Sequence, residues 1–206
     1  VTMSAAKEYI ESMTSFARAS YAEHQILERG PGYWICGRSP GSGQYKFEVR
    51  SLLFGALYVG GDIDHMIFAQ YTDSPDPERK LRWIGEHDSI DYYVAQKAAI
   101  GMGDGKSVWT YHHPAVIEAY REALEDPDLT EEQTEALNTA IESTAAHEDR
   151  EEVIRALYED GAFHPHDIDT QVGKVPSPRL VYAWQAVKKV VELLDAEKKA
   201  GEKDAP

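Results

Sequence analysis

The sequence predicts an α+β protein with an N-terminal helix, a small three- to four-stranded antiparallel meander and a larger set of C-terminal helices. Three observations lead to this prediction. Apolar residues recur at helical spacing before residue 27, short apolar runs separated by turn residues occupy residues 33–71, and helical spacing returns over residues 76–199. A chain of 206 residues can bury one good core. We therefore expect a single compact domain over residues 1–199 and a frayed polar tail over residues 200–206.

The first predicted helix runs from Met3 to Leu27. Its apolar positions share one stripe of a helix surface, which indicates a buried face. They are Ala6, Tyr9, Ile10, Met13, Phe16, Ala17 and Tyr21. The Gly30-Pro31-Gly32 segment is typical of a chain break, so we expect the helix to end before it.

The predicted meander is clearest around Tyr45, Phe47 and Val49. These residues alternate with polar residues, so one face of the strand is apolar and the other is wet. Three further runs flank this strand across segments rich in glycine, proline, serine and aspartate. They are Tyr33–Gly37, Ala56–Val59 and His65–Tyr71.

The predicted C-terminal helices are marked by capping residues. Asp76-Pro77 and Ser177-Pro178 each place a capping side chain before a proline in the first turn, and Thr130-Glu131-Glu132-Gln133 matches a capping box. After Ser177, apolar residues such as Trp184 and Val187 recur at helical intervals. The other helices are expected over Tyr92–Ala99, His113–Glu125, Thr130–Ser143 and His147–Asp160.

Negative charge is concentrated in one part of the chain. Between His112 and Asp169 there are 17 Asp and Glu residues against three Arg and no Lys, which accounts for 14 of the net −15 charges. Charge of one sign gathers on a surface either for a partner or as a solubilising face. As a partner surface it would be an acidic helical face that binds a basic surface of another protein. We assign this face to Glu118, Glu122, Glu125, Glu131, Glu132 and Glu135.

Composition also bears on other classes of partner. A net charge of −15 repels nucleic-acid phosphates, so we expect no direct nucleic-acid binding. No apolar run is long enough to span a bilayer and no signal pattern opens the chain, so we expect a cytoplasmic protein without membrane contact. The single Cys36 is expected to be a small buried hydrophobe. Nothing indicates a cofactor, and formation of a homo-oligomer is left open.

Two clusters combine histidine with carboxylates. The Gly60-Gly61-Asp62-Ile63-Asp64-His65 turn is typical of a hairpin, but its carboxylates and imidazole are also the groups that bind divalent metals or transfer protons. The His164-Pro165-His166-Asp167-Ile168-Asp169 loop has two histidines at a spacing that suits one metal ion. It matches only the first half of the metallo-β-lactamase signature. We therefore expect no metal, with Asp62, Asp64, His65, His164, His166 and Asp169 as the alternative ligand set.

Two weaker patterns are interpreted structurally. Tyr111-His112-His113 is expected to form a helix cap, because adjacent residues at a helix start point apart. Gly101-Met102-Gly103-Asp104-Gly105-Lys106 has too few residues between its glycines for a phosphate-binding loop and does not follow a parallel βα unit. We assign no catalytic residue.

Residues 38–62 carry a resemblance to a known group. Arg38-Ser39-Pro40-Gly41, Tyr45-Lys46-Phe47 and Leu57-Tyr58-Val59-Gly60-Gly61-Asp62 resemble a turn and two strand ends in small uncharacterised accessory proteins encoded by phages and prophages. The resemblance supplies no catalytic residues. It implies a viral or mobile-element protein that acts directly on a host or partner protein.

From these observations we expect a non-enzymatic phage or mobile-element accessory protein. It would act in the host cytoplasm, as an inhibitor that binds a basic surface of a host protein through the acidic helical face. One alternative is a metal-dependent hydrolase or nuclease that uses the histidine and aspartate clusters. Another is a structural or assembly protein of a virion.

Overall fold

The computed structural model describes residues 4–38, 46–52, 56–62, 65–69, 76–88, 90, 98–99, 108–146, 153–154, 157, 162–163 and 172–203. Within these residues the chain is α+β, with an N-terminal helix, an antiparallel sheet and C-terminal helices, as the sequence predicts. The helices are α1 (Ala5–Tyr21), α2 (Pro77–Gly85), α3 (His113–Ala123), α4 (Glu131–Ala145) and α5 (Pro178–Lys203). The strands are β1 (Gln25–Gly30), β2 (Tyr33–Gly37), β3 (Phe47–Ser51), β4 (Ala56–Gly61), β5 (Met66–Ala69), β6 (Ala98–Ala99), β7 (Trp109–Tyr111) and β8 (Lys174–Pro176).

The chain divides into two compact units. The helical unit comprises Val1–Tyr9 and Trp109–Val175, and the sheet unit comprises Ile10–Val108 and Pro176–Pro206. Helix α1 contributes its first turns to the helical unit and the rest to the sheet unit. The single domain over residues 1–199 stays a prediction, and α5 continues as a helix through Lys203.

The sheet unit contains a meander of five antiparallel strands, β1 to β5 in chain order, with the two-residue β6 added beside β5. Its register places Val49 of β3 opposite Val59 of β4, and Val59 opposite Met66 of β5. These side chains are buried, because alternate positions on neighbouring strands face the same side of a sheet. Helix α5 packs on this sheet and on α2.

The predicted strand count of three or four is too low, because the predicted first helix, which runs to Leu27, overlaps β1. Helix α1 ends at Tyr21, and the meander starts at Gln25 rather than at residue 33. The Pro31-Gly32 pair joins Gly30 to its partner Tyr33 across a tight turn, with Gly32 at a φ of 77°. Proline followed by glycine at positive φ is the residue pair of a type II turn. This pair therefore connects two strands, and the prediction that it breaks a helix is wrong.

The stretch after residue 76 is less purely helical than predicted. Ala98–Ala99, expected within a helix, pairs with Ile67 and Phe68 of β5 as strand β6. The strands β7 and β8 form a separate two-stranded sheet that the sequence did not predict. Residues 91–97, the rest of that expected helix, lie outside the described residues, as does Gly101–Lys106.

The helical unit is held together by contacts between α3 and α4. Its core contains one aromatic and several aliphatic side chains from these helices and from a segment that is helical at 153, 154 and 157. The buried members are Val116, Tyr120, Leu137, Ala140, Val153 and Leu157.

The predicted helix starts are confirmed by their hydrogen bonds. Asp76 accepts from the Glu78 amide at 2.9 Å and begins α2. At α4, the hydroxyl of Thr130 accepts from the Gln133 amide at 3.2 Å, and the Gln133 side chain accepts from the Thr130 amide at 3.0 Å. Ser177 caps α5 by accepting from the Leu180 amide at 3.3 Å. Each bond satisfies an amide that has no partner within its own helix.

Candidate functional site

Helix α3 presents one apolar face and one acidic face within the helical unit. Ala115, Val116 and Tyr120 are buried. Glu118 is half-buried, and Glu122 is exposed one turn further along. The helical spacing that buries the first set therefore turns the carboxylates away from the core.

An acidic groove of about 600 Å³ runs beside this outer face. Four of its lining residues carry carboxylates and one carries a guanidinium, so its charge is strongly negative. Ile117 and Pro114 add apolar surface to it. The lining residues are Ala5, Glu8, Pro114, Ile117, Glu118, Arg121, Glu122 and Glu125. The groove therefore combines an apolar surface with an acidic rim, which is the combination that suits a basic amphipathic partner.

Glu118 also has a structural role. Its Oε2 accepts a hydrogen bond from the backbone amide of Ala5 at 2.8 Å. That amide belongs to the first turn of α1, where backbone N–H groups lack helical partners and a negative charge is favourable. Glu118 therefore attaches the start of α1 to α3 and is unsuitable for a mutational test of binding.

A smaller cleft of about 170 Å³ is lined by the same two carboxylates, Glu118 and Glu122, and by Lys174 and Val175 of β8. Glu118 and Glu122 thus line both concavities. They are four residues apart on α3, and like charges at this spacing lower the stability of a helix.

The structure brings together only part of the predicted acidic face. Glu118, Glu122 and Glu125 line the groove, whereas Glu131, Glu132 and Glu135 are exposed on α4 and do not line it. Glu131 and Glu132 occupy the first turn of α4, where the helix dipole favours carboxylates. These two charges therefore have a structural explanation that does not require a partner.

Glu8 is the groove residue that sequence reasoning missed. It lies in the first turn of α1, more than a hundred residues before Glu118. Residues 1–72 carry seven acids and six bases, so counting charge by segment hides it. The first turn of a helix is where carboxylates are usually found, so the sequence offers no signal for a role in binding.

The charges at the end of α3 have no such structural explanation. Helix α3 ends at Ala123, with Leu124 as its C-cap, and has no acidic residue in its first turn. Glu122 and Glu125 instead lie at its C-terminal end, where the helix dipole is negative and a carboxylate is unfavourable. Among the described residues, neither carboxylate forms an ion pair. The position of these two carboxylates therefore lowers the stability of α3, and binding to a partner would explain their presence there.

The histidine pair at the start of α3 has the structural role that the sequence predicts, although without a side-chain cap. His112 occupies the N-cap position, and its amide donates to the Gly173 carbonyl at 2.8 Å. Its ring packs on Tyr9 with centroids 4.7 Å apart, while His113 contacts Tyr111 edge-on. Burial and the neighbouring His113 lower the pKa of His112. The two imidazoles therefore contact different aromatic rings.

In the Gly60–His65 turn, Asp62 and His65 form contacts with other residues of the sheet unit. Asp62 Oδ2 accepts from the Lys46 amide at 2.9 Å, and the Asp62 amide donates to the Lys46 carbonyl at 3.0 Å. His65 Nδ1 lies 2.6 Å from the hydroxyl of Tyr58, whose ring stacks on the imidazole. A Cβ at Gly60 would lie 2.1 Å from that hydroxyl, so glycine leaves the space for this pair.

The alternative metal set contains four further residues. Asp64, His164, His166 and Asp169 lie outside the described residues. Among the residues that the structure does describe, no group of three or more His, Cys, Asp or Glu side chains is arranged to hold a metal ion.

Comparisons with protein-family models, with curated proteins and with solved structures gave no match to this chain. None of the helices in the described ranges combines the length and the apolar character needed to cross a membrane.

Proposed function

We propose that this chain is a non-enzymatic binding protein whose acidic groove engages a basic surface of a partner protein. The observation that carries the proposal is the placement of Glu122 and Glu125 at the C-terminal end of α3, beside an apolar surface and without an ion-pair partner among the described residues. Stability alone would favour basic residues there.

The proposal includes the biological setting that the resemblance implies. A phage or mobile-element accessory protein of this kind would act as an inhibitor in the host cytoplasm by covering a basic surface. A surface that normally holds nucleic acid is one such target, because its positive potential would speed the encounter with an acidic protein. The partner is expected to place an apolar side chain against Ile117 and cationic side chains against the carboxylates.

The test is a double charge reversal, Glu122→Lys with Glu125→Lys. Lysine at a helix C-terminus is favourable, so the variant should fold at least as well as the native chain. Proteins captured from host lysate by the native chain would be purified, and their association rates measured at two salt concentrations. We expect the reversal to slow association by roughly tenfold or more at low salt, with a smaller effect at high salt.

The matched control is Glu135→Lys with Glu142→Lys. Both residues are exposed on α4 and do not line the groove, and the variant has the same net charge as the test variant. We expect a much smaller change in rate for this control. Equal rates for the native chain and the groove variant would refute the proposal, and equal slowing in both variants would leave the net charge, and not the groove, responsible.

A further inference from the structure

A basic cleft of about 590 Å³ lies within the sheet unit, bordered by α1, α2 and α5. Its volume falls within the range of roughly 300–1,000 Å³ that is typical of small-molecule sites. Ala22, Gly85 and Val191 provide apolar lining. The polar lining is mostly cationic or hydrogen-bond donating. It comprises Arg18, Tyr21, Gln185, Lys188, Lys189, Glu192 and Asp195.

The two carboxylates of this cleft are already engaged. Asp195 Oδ1 lies 2.8 Å from a terminal nitrogen of Arg82, and Glu192 lies 3.3 Å from the ammonium of Lys189. Arg82, which lies outside the lining, also pairs with Glu78 and Glu86. Among the described residues, the lining cations Arg18 and Lys188 form no ion pair.

Arg18 and Lys188 contact neutral groups instead. Arg18 Nε donates to the side-chain oxygen of Gln185 at 3.2 Å, and no described carboxylate pairs with its guanidinium. The ammonium of Lys188 donates to the His87 carbonyl and lies 4.8 Å from the centre of the Trp184 ring. Burial, followed by the charge of Arg18, lowers the pKa of Lys188, and Asp88 opposes this effect. Two cations that repel each other in one cleft indicate a site for an anion.

Two buried side chains add hydrogen-bond donors that are not used. Gln185 is 3% exposed, and its oxygen accepts from Arg18, which leaves its Nε2 without a hydrogen-bond partner in the described part of the chain. Tyr21 is 2% exposed, and its hydroxyl likewise has no partner there. Burial raises the pKa of Tyr21, so this hydroxyl keeps its proton. Buried polar groups are normally hydrogen-bonded, so these two side chains are unusual residues in the lining of the cleft.

We propose that the basic cleft binds a small phosphate monoester. A phosphate monoester carries close to two negative charges at neutral pH, which matches the two lining cations that form no ion pair with a described carboxylate. The planar guanidinium of Arg18 can bind two phosphate oxygens, and the ammonium of Lys188 acts as a point charge. The ester group lies against Val191. This site is independent of the acidic groove.

Phenyl phosphate is a suitable probe, and the nuclear magnetic resonance of the Trp184 indole N–H is a suitable reporter, because Lys188 lies over that ring. We expect saturable shifts with a dissociation constant below about 1 mM. Benzoate, which has one charge, should bind roughly tenfold more weakly, and neutral benzyl alcohol should not bind. A wild-type protein whose shifts do not saturate up to about 10 mM phenyl phosphate would overturn the proposal.

Variants then locate the site. Arg18→Gln and Lys188→Gln should each weaken phenyl phosphate binding by roughly tenfold or more. Lys199→Gln removes the same charge from an exposed position of α5 outside the cleft and should leave binding unchanged. Because Arg18 is exposed, its variant is expected to fold, which circular dichroism would check. Equal weakening in the Lys199 and Arg18 variants would show unspecific charge attraction and would refute the site.

Discussion

Replacing Trp184 tests how α5 is joined to α2 in the sheet unit. Trp184 is 1% exposed, and its indole N–H donates to the Ile84 carbonyl at 3.2 Å. Ile84 lies in the last turn of α2, where carbonyl groups have no partner within the helix. Trp184 therefore fills the core and also supplies a hydrogen-bond donor to a carbonyl at the end of α2.

The expected cost follows from these two roles. Trp184→Phe keeps most of the ring but leaves the Ile84 carbonyl buried without its donor, at a cost of about 1–3 kcal/mol of unfolding free energy. Trp184→Ala also leaves a large cavity, so its cost should lie at the upper end of about 3–5 kcal/mol. Phe47→Ala, which truncates a buried apolar residue of β3, should cost about 3–5 kcal/mol without a hydrogen-bond contribution.

Urea unfolding followed by far-ultraviolet circular dichroism measures these costs, with hydrogen exchange of the β3 and β4 amides reporting on the sheet unit. The control is Trp83→Phe on α2. The indole of Trp83 contacts the His87 ring at 5.0 Å and, among the described residues, makes no hydrogen bond. If Trp184→Phe costs no more than Trp83→Phe, the hydrogen bond to Ile84 does not hold the two helices together.

Three further predictions concern single residues. Thr130→Ala should lower the free energy of unfolding by about 1 kcal/mol through loss of the capping box, whereas Asn138→Ala within α4 should not. Chemical denaturation measures both, and equal free energies of unfolding for the two variants would contradict the cap. The pKa of His112 in the folded protein lies below its unfolded value of 6.5, so the stability of the protein should fall as the pH drops below about 6.5. The melting temperature should therefore depend less on pH in His112→Gln than in the native chain, and the same pH dependence in both would contradict this. Burial raises the pKa of Cys36 to about 12, so iodoacetamide should modify this thiol roughly a thousandfold more slowly in the native protein than in the unfolded protein. Comparable rates of modification would place the thiol at the surface.

Local signals in the sequence determined most helix starts and the central strands. The caps at Asp76 and Thr130 depend on atoms within a few residues of each other, so the local sequence predicts them independently of the fold. The alternation of Phe47 and Val49 likewise shows which face of β3 is buried. The acidity of α3 could also be predicted, because charge is a property of composition.

Tertiary structure decided the elements that depend on a distant partner. Ala98–Ala99 has a helical composition but forms a strand because β5 offers it hydrogen bonds, and Gln25–Gly30 becomes a strand by pairing with β2. The same reason applies to the acidic groove and to the basic cleft. Glu8 joins Glu118, and Arg18 joins Gln185, from parts of the chain more than a hundred residues apart. No local pattern encodes such contacts, since they arise only when the packing of the helices brings those side chains together.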